Sequence, residues 1–481
     1  MRTRALAVAA VCVATVGTVV LPTAPTLAAA PAAPAPIFDF NGDGYPDLAS
    51  SADSATINGV AGAGALAVVY GSATGLRYDA ASIISQATPG VPGDPTPQGS
   101  WGVFDGAGDL NGDGYDDLVV HPLNPARTKY VLWGSKNGIT GAGTVLPAGN
   151  RTPNSPWLYT AQPIAFGDVN GDHVDDIVAA GNIGGGPGLT VLLGPLDRTT
   201  GASADVWFRD TRTLDNVAPN ITFVGDTTGD RKADIAVSAI DRGDGRTGGV
   251  VLKGSTTGLI KGGSFDAPNM DPGTMNAQWP VAAYGDLNRD GYPDLVAGYR
   301  KLNKVYVAYG GPDGVSTTIP ARSYDQDSPG VPGSTEMRDQ FGTAVAIGDT
   351  DRDGYADLII GAPSETGSDP AAAESGSITV LRGSAAGITT TGAKSFTQNA
   401  KDVPSTSEYH DWFGWSLAVT DTDRNGKPEV YVGGFGEDTG RGRIWVLPTG
   451  TSGVTGIGST SFHLGTLGGP PGGRISRYLA G

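Results

Sequence analysis

The stretch DTDRDGYADLIIGAP, Asp349 to Pro363, decides how the chain is read. Acidic side chains stand at positions 1, 3, 5 and 9, a glycine interrupts them at position 6, and an aliphatic run of strand length follows. Aligned on its first Asp, the stretch recurs as DFNGDGYPDL from Asp39, DLNGDGYDDL from Asp109, DVNGDHVDDI from Asp168, DTTGDRKADI from Asp226, DLNRDGYPDL from Asp286 and DTDRNGKPEV from Asp421. A second marker follows each copy: VVYGS at Val68, VLWGS at Val131, VLLGP at Val191, VLKGS at Val251, VAYGG at Val307, VLRGS at Val380 and VLPTG at Val446. Units of about sixty residues therefore tile the chain.

Each unit reads as strands. DLIIG and SITVLRG are aliphatic runs bounded by glycine, and no stretch sustains a 3.6-residue apolar period for the length of a helix. A run such as WSLAV precedes the acidic loop and one such as SFTQ follows the second marker, giving four antiparallel strands per unit. The expected fold is all-β, a seven-bladed β-propeller of four-stranded blades, because radial closure buries the sheet faces and protects most strand edges. A β-solenoid with a coil of the same length is the alternative.

In the pattern DxDxDGxxD the side chains at positions 1, 3, 5 and 9 and the carbonyl at position 7 converge when the chain curls around a cation, and position 6 makes the sharp turn. Position 1 is Asp39, Asp109, Asp168, Asp226, Asp286, Asp349 or Asp421, and position 3 is Asn41, Asn111, Asn170, Thr228, Asn288, Asp351 or Asp423. Position 5 is Asp43, Asp113, Asp172, Asp230, Asp290, Asp353 or Asn425, and position 9 is Asp47, Asp117, Asp176, Asp234, Asp294, Asp357 or Glu429. The carbonyl at position 7 belongs to Tyr45, Tyr115, Val174, Lys232, Tyr292, Tyr355 or Lys427. Hard oxygen donors in this number suit calcium, up to seven ions, whereas zinc would call for histidine or cysteine. Asx turns that need no ion would account for one copy but poorly for seven at fixed spacing. By charge and turn geometry the Asp349 loop should bind most tightly, and the Asp226 loop, with Thr228 at position 3 and Arg231 at position 6, most weakly.

Composition agrees. The 481 residues include 75 glycines and 34 prolines, are 39% hydrophobic and carry a formal charge of −17, which argues against nucleic acid as a partner. Arg2 and Arg4, an apolar run from Ala5 to about Leu21 and small residues near Ala28 to Ala30 have the layout of a secretory signal peptide. We therefore expect a signal peptide over 1–30, a short linker over 31–36 and the propeller over 37–481. Removing both arginines takes the charge from −17 to −19, and seven divalent ions would add 14 and bring it to −5. The acidity is then mostly that of the loops. Cys12 is the only cysteine and lies in the signal segment, so the mature chain should hold no thiol. No second run of spanning length follows, and a secreted, extracellular monomer without a membrane span is expected.

At these residues the chain resembles the FG-GAP repeat family, which includes the N-terminal propeller of integrin α subunits, and is most similar to secreted bacterial members. Phe341-Gly342 with Gly361-Ala362-Pro363 shows both halves of the pattern, and Phe413-Gly414 and Trp101-Gly102 show the first. The resemblance implies a seven-bladed propeller with calcium in the strand-connecting loops and a role in adhesion or extracellular recognition. The full pattern occurs once, blades three to five are abbreviated, and receptor signalling does not carry over.

No GxSxG or HExxH motif occurs, and His121, His173, His410 and His463 occupy unrelated repeat positions. An extracellular polysaccharide lyase or hydrolase, and a passive envelope or matrix component, stay open beside recognition of a protein or glycan. Strand alternation puts the acidic loops on one face and the blade-to-blade connections on the other. Trp101, Tyr409, His410 and Trp412, in or beside the long connections, are the candidate ligand face. Blade one starts almost at the mature N-terminus, and the tail GRISRYLAG from Gly473 resembles its missing first segment. It is expected to pack between blades seven and one and shield an open strand edge.

Overall fold

The computed structural model describes residues 38–123, 128–147, 164–183, 186–210, 214, 219–239, 248–266, 281–336, 338–367, 369–470 and 472–481. The expected signal peptide and linker lie outside them.

The chain forms seven four-stranded antiparallel sheets in the expected order. Blade one contains β1 (Leu48–Ala52), β2 (Ala65–Tyr70) and β3 (Arg77–Ile84), and blade two β4 (Val103–Gly108), β5 (Asp117–His121), β6 (Tyr130–Leu132) and β7 (Gly143–Val145). Blade three has β8 (Ile164–Gly167), β9 (Asp176–Ile183), β10 (Gly186–Leu193) and β11 (Asp205–Asp210), and blade four β12 (Pro219–Gly225), β13 (Asp234–Ala239), β14 (Gly248–Lys253) and β15 (Ile260–Asp266). Blade five has β16 (Val281–Gly285), β17 (Asp294–Tyr299), β18 (Lys304–Ala308) and β19 (Arg322–Tyr324), and blade six β20 (Ala344–Gly348), β21 (Asp357–Ala362), β22 (Ser377–Arg382) and β23 (Thr389–Phe396). Blade seven is β24 (Ser416–Thr420), β25 (Glu429–Gly434), β26 (Arg443–Leu447) and β29 (Thr460–Phe462), with a two-stranded ribbon of β27 (Thr449–Gly450) and β28 (Gly453–Val454) between its last two strands.

The tail completes blade one. β30 (Leu479–Ala480) pairs antiparallel with β1, Ala49 opposite Ala480 and Ser50 opposite Leu479, and so supplies the missing first strand. Ser476 and Tyr478 donate their backbone N–H groups to the Ser50 and Ser51 hydroxyls at 3.0 and 3.1 Å, and Ser51 N–H donates to the Tyr478 carbonyl at 3.1 Å. The ring is thus closed by hydrogen bonds between the two ends of the propeller.

First strands neighbour one another around the ring: β4 with β8, β8 with β12, β16 with β20, β20 with β24 and β24 with β30. The apolar cores lie between adjacent blades. Phe40, Leu66, Val68, Trp101, Leu118 and Val120 fill the junction of blades one and two, and Val296, Val305, Phe341, Leu358 and Ile360 that of five and six. This is why second and third strands read as unbroken apolar runs: ALAVVY in β2 and DLIIGA in β21 are buried at every residue because a neighbouring blade covers each face. The outer strand β3 alternates between exposed and half-buried residues over its first four positions, as a sheet with one wet face does.

Candidate functional site

In blades two to seven the acidic loop joins the first and second strands; in blade one it leads into β1, whose first-strand partner β30 comes from the tail, and it bonds to the Asp109 loop, so all seven lie on one face. Their curl follows the spacing. Asp39 accepts the N–H of Asp43 on Oδ1 and of Gly44 on Oδ2, at 3.1 and 2.8 Å, and Asp43 Oδ1 accepts the N–H of Tyr45 at 3.0 Å. The turn at position 6 requires a left-handed backbone, which glycine provides in five loops. His173 and Arg231 adopt it too, each at φ 69°, so the loop geometry holds where glycine is absent.

Position 9 has a second task. Asp47 is fully buried, with Oδ2 accepting the N–H of Phe40 at 2.9 Å and Oδ1 that of Gly71 at 2.9 Å. Gly71 is the glycine of the second marker, so the two repeated sequence signals are bonded to each other. The same bond joins Asp117 to Gly134, Asp176 to Gly194, Asp234 to Gly254, Asp294 to Gly310 and Asp357 to Gly383. A Cβ on Gly71 would come within 2.3 Å of the Pro46 carbonyl oxygen, which is why glycine stands there. Blade seven breaks the pattern: its marker reads VLPTG, and Glu429 accepts instead from the N–H and hydroxyl of Thr422 at 3.3 and 3.2 Å. Burial pushes Asp47 and Asp117 up to about 8 and Asp176, Asp294 and Glu429 to about 7.

Bonds between neighbouring loops, made where position 8 is not proline, were not legible from the motif. The N–H at position 8 of one loop donates to the carbonyl at position 1 of the loop before: Asp116 to Asp39, Asp175 to Asp109 and Ala233 to Asp168. Where position 8 is aspartate the bond is reciprocated, Asp39 N–H donating to Asp116 Oδ2 at 2.8 Å and Asp109 N–H to Asp175 Oδ2 at 3.1 Å. The Asp-Asp doublets at 116–117 and 175–176 were the available signal.

These donors fit a hard divalent cation. Carboxylate oxygens of Asp349, Asp351 and Asp353 come within 4.8 Å of one another, as do those of Asp421, Asp423 and Glu429. Basic groups modulate individual loops. Arg382 pairs with Asp351, Arg198 with Asp113 at 2.7 Å, and Lys232 with Asp230 at 2.9 Å inside the Asp226 loop. Charge count alone therefore overstates the Asp349 loop, because a guanidinium already sits on one of its four carboxylates.

On the opposite face the long connection into blade seven carries an aromatic stack. Tyr409 is 62% exposed and lies over His410 with ring centroids 3.6 Å apart; His410 stacks on Trp412 at 5.1 Å, and Trp412 meets Phe435 at 4.7 Å. His410 and Trp412 both hold positive φ, 63° and 55°, turning their rings outward on either side of the buried Asp411. Glu374, from the β21–β22 connection, accepts from Trp412 Nε1 at 3.4 Å and lies 3.2 Å from His410 Nε2. Trp412, Trp415 and Phe435 line a depression of about 560 Å³ with Arg300, Lys301, Arg338, Gln340 and Glu374, next to a mouth of about 780 Å³ at the ring axis that shares Arg300 and Trp415. The Arg300 guanidinium stands 5.9 Å over the Trp415 ring, and that of Arg474 stands 5.3 Å over Phe435. Trp415, Phe435 and the arginines were not among the candidates drawn from sequence. Trp101 must be removed from them: it is fully buried between blades one and two, as Phe341 and Phe413 are at their own junctions.

The FG-GAP repeat model matches residues 30–69, 341–381 and 413–447, and the FG-GAP-like repeat model matches 109–179 and 286–360. The chain belongs to the FG-GAP repeat family. The mouse phosphatidylinositol-glycan-specific phospholipase D is 31% identical to this FG-GAP chain over 160 residues, 32% of this chain and 18% of that protein. Integrin alpha pat-2 of Caenorhabditis briggsae is 28% identical over 310 residues, 61% and 21% of the two chains. The chain thus spans about a fifth of the length of these relatives. Among solved structures, a Bacillus licheniformis rhamnogalacturonan lyase overlaps 85% of this chain and 73% of its own at 14% identity and a TM-score of 0.36. The Dos1 propeller overlaps 76% and 82% at 12% identity and a TM-score of 0.36. No helix among the described residues is long and apolar enough to cross a membrane.

Proposed function

We propose that this FG-GAP propeller is a secreted recognition module, stabilised by calcium in its strand-connecting loops, that binds an extracellular protein or glycan bearing anionic groups. The observation that carries the reading is the depression lined by Arg300, Lys301, Arg338, Trp412, Trp415 and Phe435 on the face opposite the acidic loops. Flat rings offer a sugar or protein surface broad contact at little entropic cost, and guanidinium groups take carboxylate or sulfate through paired hydrogen bonds. Glu374, the acidic member of the lining, is already engaged by Trp412 and His410, which leaves the basic groups to set the sign of the site.

For the ion, three carboxylates with a carbonyl and a neutral or acidic oxygen at position 3 form the hard, mostly charged donor set that calcium takes. The test is a screen of acidic and neutral glycans and of surface proteins, run with and without calcium. Binding to anionic members should be lost in W412A and R300A while their stabilisation by calcium stays that of the wild type. Variants that bind like the wild type, or loss of binding only on altering the acidic-loop face, would reject the assignment.

A further inference from the structure

Four side chains recur 72 positions apart on the face opposite the acidic loops. Gln326, Glu336, Asp339 and Glu365 meet at the entry to blade six, and Gln398, Glu408, Asp411 and Glu437 take the same places at the entry to blade seven. Their bonds recur as well. Glu336 N–H donates to Asp339 Oδ2 and Gln326 Nε2 to Glu365 Oε2, just as Glu408 N–H donates to Asp411 Oδ2 and Gln398 Nε2 to Glu437 Oε2.

The copies differ in what offsets the charge. In blade seven Arg443 Nε lies 3.5 Å from Glu437 Oε1, and the Ser405 hydroxyl donates to the same oxygen at 2.6 Å. In blade six Gly333 stands where Ser405 does, and no lysine or arginine among the described residues forms an ion pair with Glu336, Asp339 or Glu365. One oxygen from each of these three carboxylates lies within 4.8 Å of the others, and Asp339 is only 3% exposed.

Gln326 supplies the second observation. It is 3% exposed, its Nε2 is committed to Glu365, and its Oε1 has no hydrogen-bond partner. Asn303 is alike: 6% exposed, it donates Nδ2 to the Glu336 carbonyl at 2.7 Å and leaves Oδ1 without a partner. A buried acceptor with no donor destabilises the fold, and a cation satisfies such an oxygen without a proton. In blade seven Gln398 Oε1 is also unpartnered, but it shares Glu437 with Arg443 Nε, a donor itself without a hydrogen bond. Blade six has the acceptors and lacks the guanidinium; the Ser334 hydroxyl donates to Glu336 Oε1 at 2.7 Å, and neither Gln326 Oε1 nor Asn303 Oδ1 gains a partner.

We propose that Glu336, Asp339, Glu365 and the Gln326 side-chain carbonyl form a further site for a hard divalent cation of the calcium class, distinct from the seven strand-connecting loops. Arg338 and Gln340, which line the aromatic and basic depression, belong to the same segment, so the ion would fix one wall of it.

Calcium alone is the probe. The purified chain is stripped with chelator and its bound calcium counted by equilibrium dialysis with the radioactive ion, in the wild type, D339N, E365Q and D411N. D339N and E365Q should each bind one ion fewer per chain than the wild type, and D411N the same number. Crystals soaked in manganese should show an anomalous peak among the three blade-six carboxylates, which keeps the test decisive if D339N does not fold. Full wild-type stoichiometry in both D339N and E365Q, or anomalous peaks in the strand loops with none among Glu336, Asp339 and Glu365, overturns the proposal.

Discussion

Closure of the ring can be probed at a single side chain. Ile475 is fully exposed to solvent only if the tail leaves its place; in the closed ring it is 0% exposed, packed with Leu48, Ala52, Tyr431, Ile444 and Leu464 from blades one and seven and the segment that follows. Ile475→Ala removes buried methyl groups from a site fixed on both sides by strands, so it should cost about 2–5 kcal/mol. That is a large share of the roughly 5–15 kcal/mol that separates folded from unfolded domains. The comparison substitution is Ile457→Ala, at a residue 70% exposed in blade seven, which should change stability by less than about 0.5 kcal/mol. Guanidinium unfolding at fixed calcium, followed by tryptophan fluorescence, reads both. Truncation after Gly472 goes further, removing the N–H donors to Ser50, Ser51 and Ser54 and uncovering the inner edge of β1. It should produce concentration-dependent association, because an unpaired strand edge recruits another chain. A loss below about 1 kcal/mol in I475A, together with a truncated chain that stays monomeric at the wild-type midpoint, would refute closure by the tail.

Two further outcomes follow from position 9. Asp117→Ala should cost about 2–5 kcal/mol in denaturant unfolding because it strands the buried N–H groups of Leu110 and Gly134, which it joins across two segments, whereas Glu429→Ala, which accepts from the N–H and hydroxyl of Thr422 in its own loop and from no marker N–H, should cost less; equal losses would deny the staple its role. In chelator, Asp47, Asp117 and Asp294 hold protons in the folded state well above the ordinary carboxylate value of 3.8, so the folded state binds more protons than the unfolded one and stability rises as pH falls from about 8 towards 5, by up to about 1.4 kcal/mol per pH unit for each group. Saturating calcium, which requires the ionised carboxylates, should raise the melting temperature and reverse that slope; identical pH profiles with and without calcium would rule out the metal reading.

Much of the architecture was legible because its signals are local and repeated. Seven loops with one spacing and seven second markers set the blade count, and alternation of strand direction set the two faces. The bonds that link these signals were not legible, since Asp47 and Gly71 stand 24 residues apart and nothing in either motif names the other. The acidic cluster of blade six draws its carboxylates from two different connections, a grouping that only the fold makes. Trp101 failed as a ligand-face residue for a reason present in the chain itself: it stands before glycine where blades six and seven have Phe341 and Phe413, and that aromatic fills the junction between blades. The arginines of the depression come from blade five and from the entry to blade six, so no spacing along the chain could associate them with Trp412.

The division of labour between faces has a physical origin. On the acidic-loop face the connections are short, their side chains turn inward on the loop's own N–H groups, and where position 8 is not proline its N–H ties the loop to the one before. Where such a bond is made, a change at position 8 to proline would remove it. The opposite face carries the blade-to-blade connections, which backbone bonds anchor to the scaffold, as where Trp412 N–H meets the Glu374 carbonyl and Gly376 bridges Phe413. Side chains between such anchors are free of the ladder, so Tyr409 can stand 62% exposed over a backbone held in place on both sides. Rigidity on one face thus fixes the frame, and chemical variety is confined to the other, where a ligand would meet preset rings and guanidinium groups at little ordering cost.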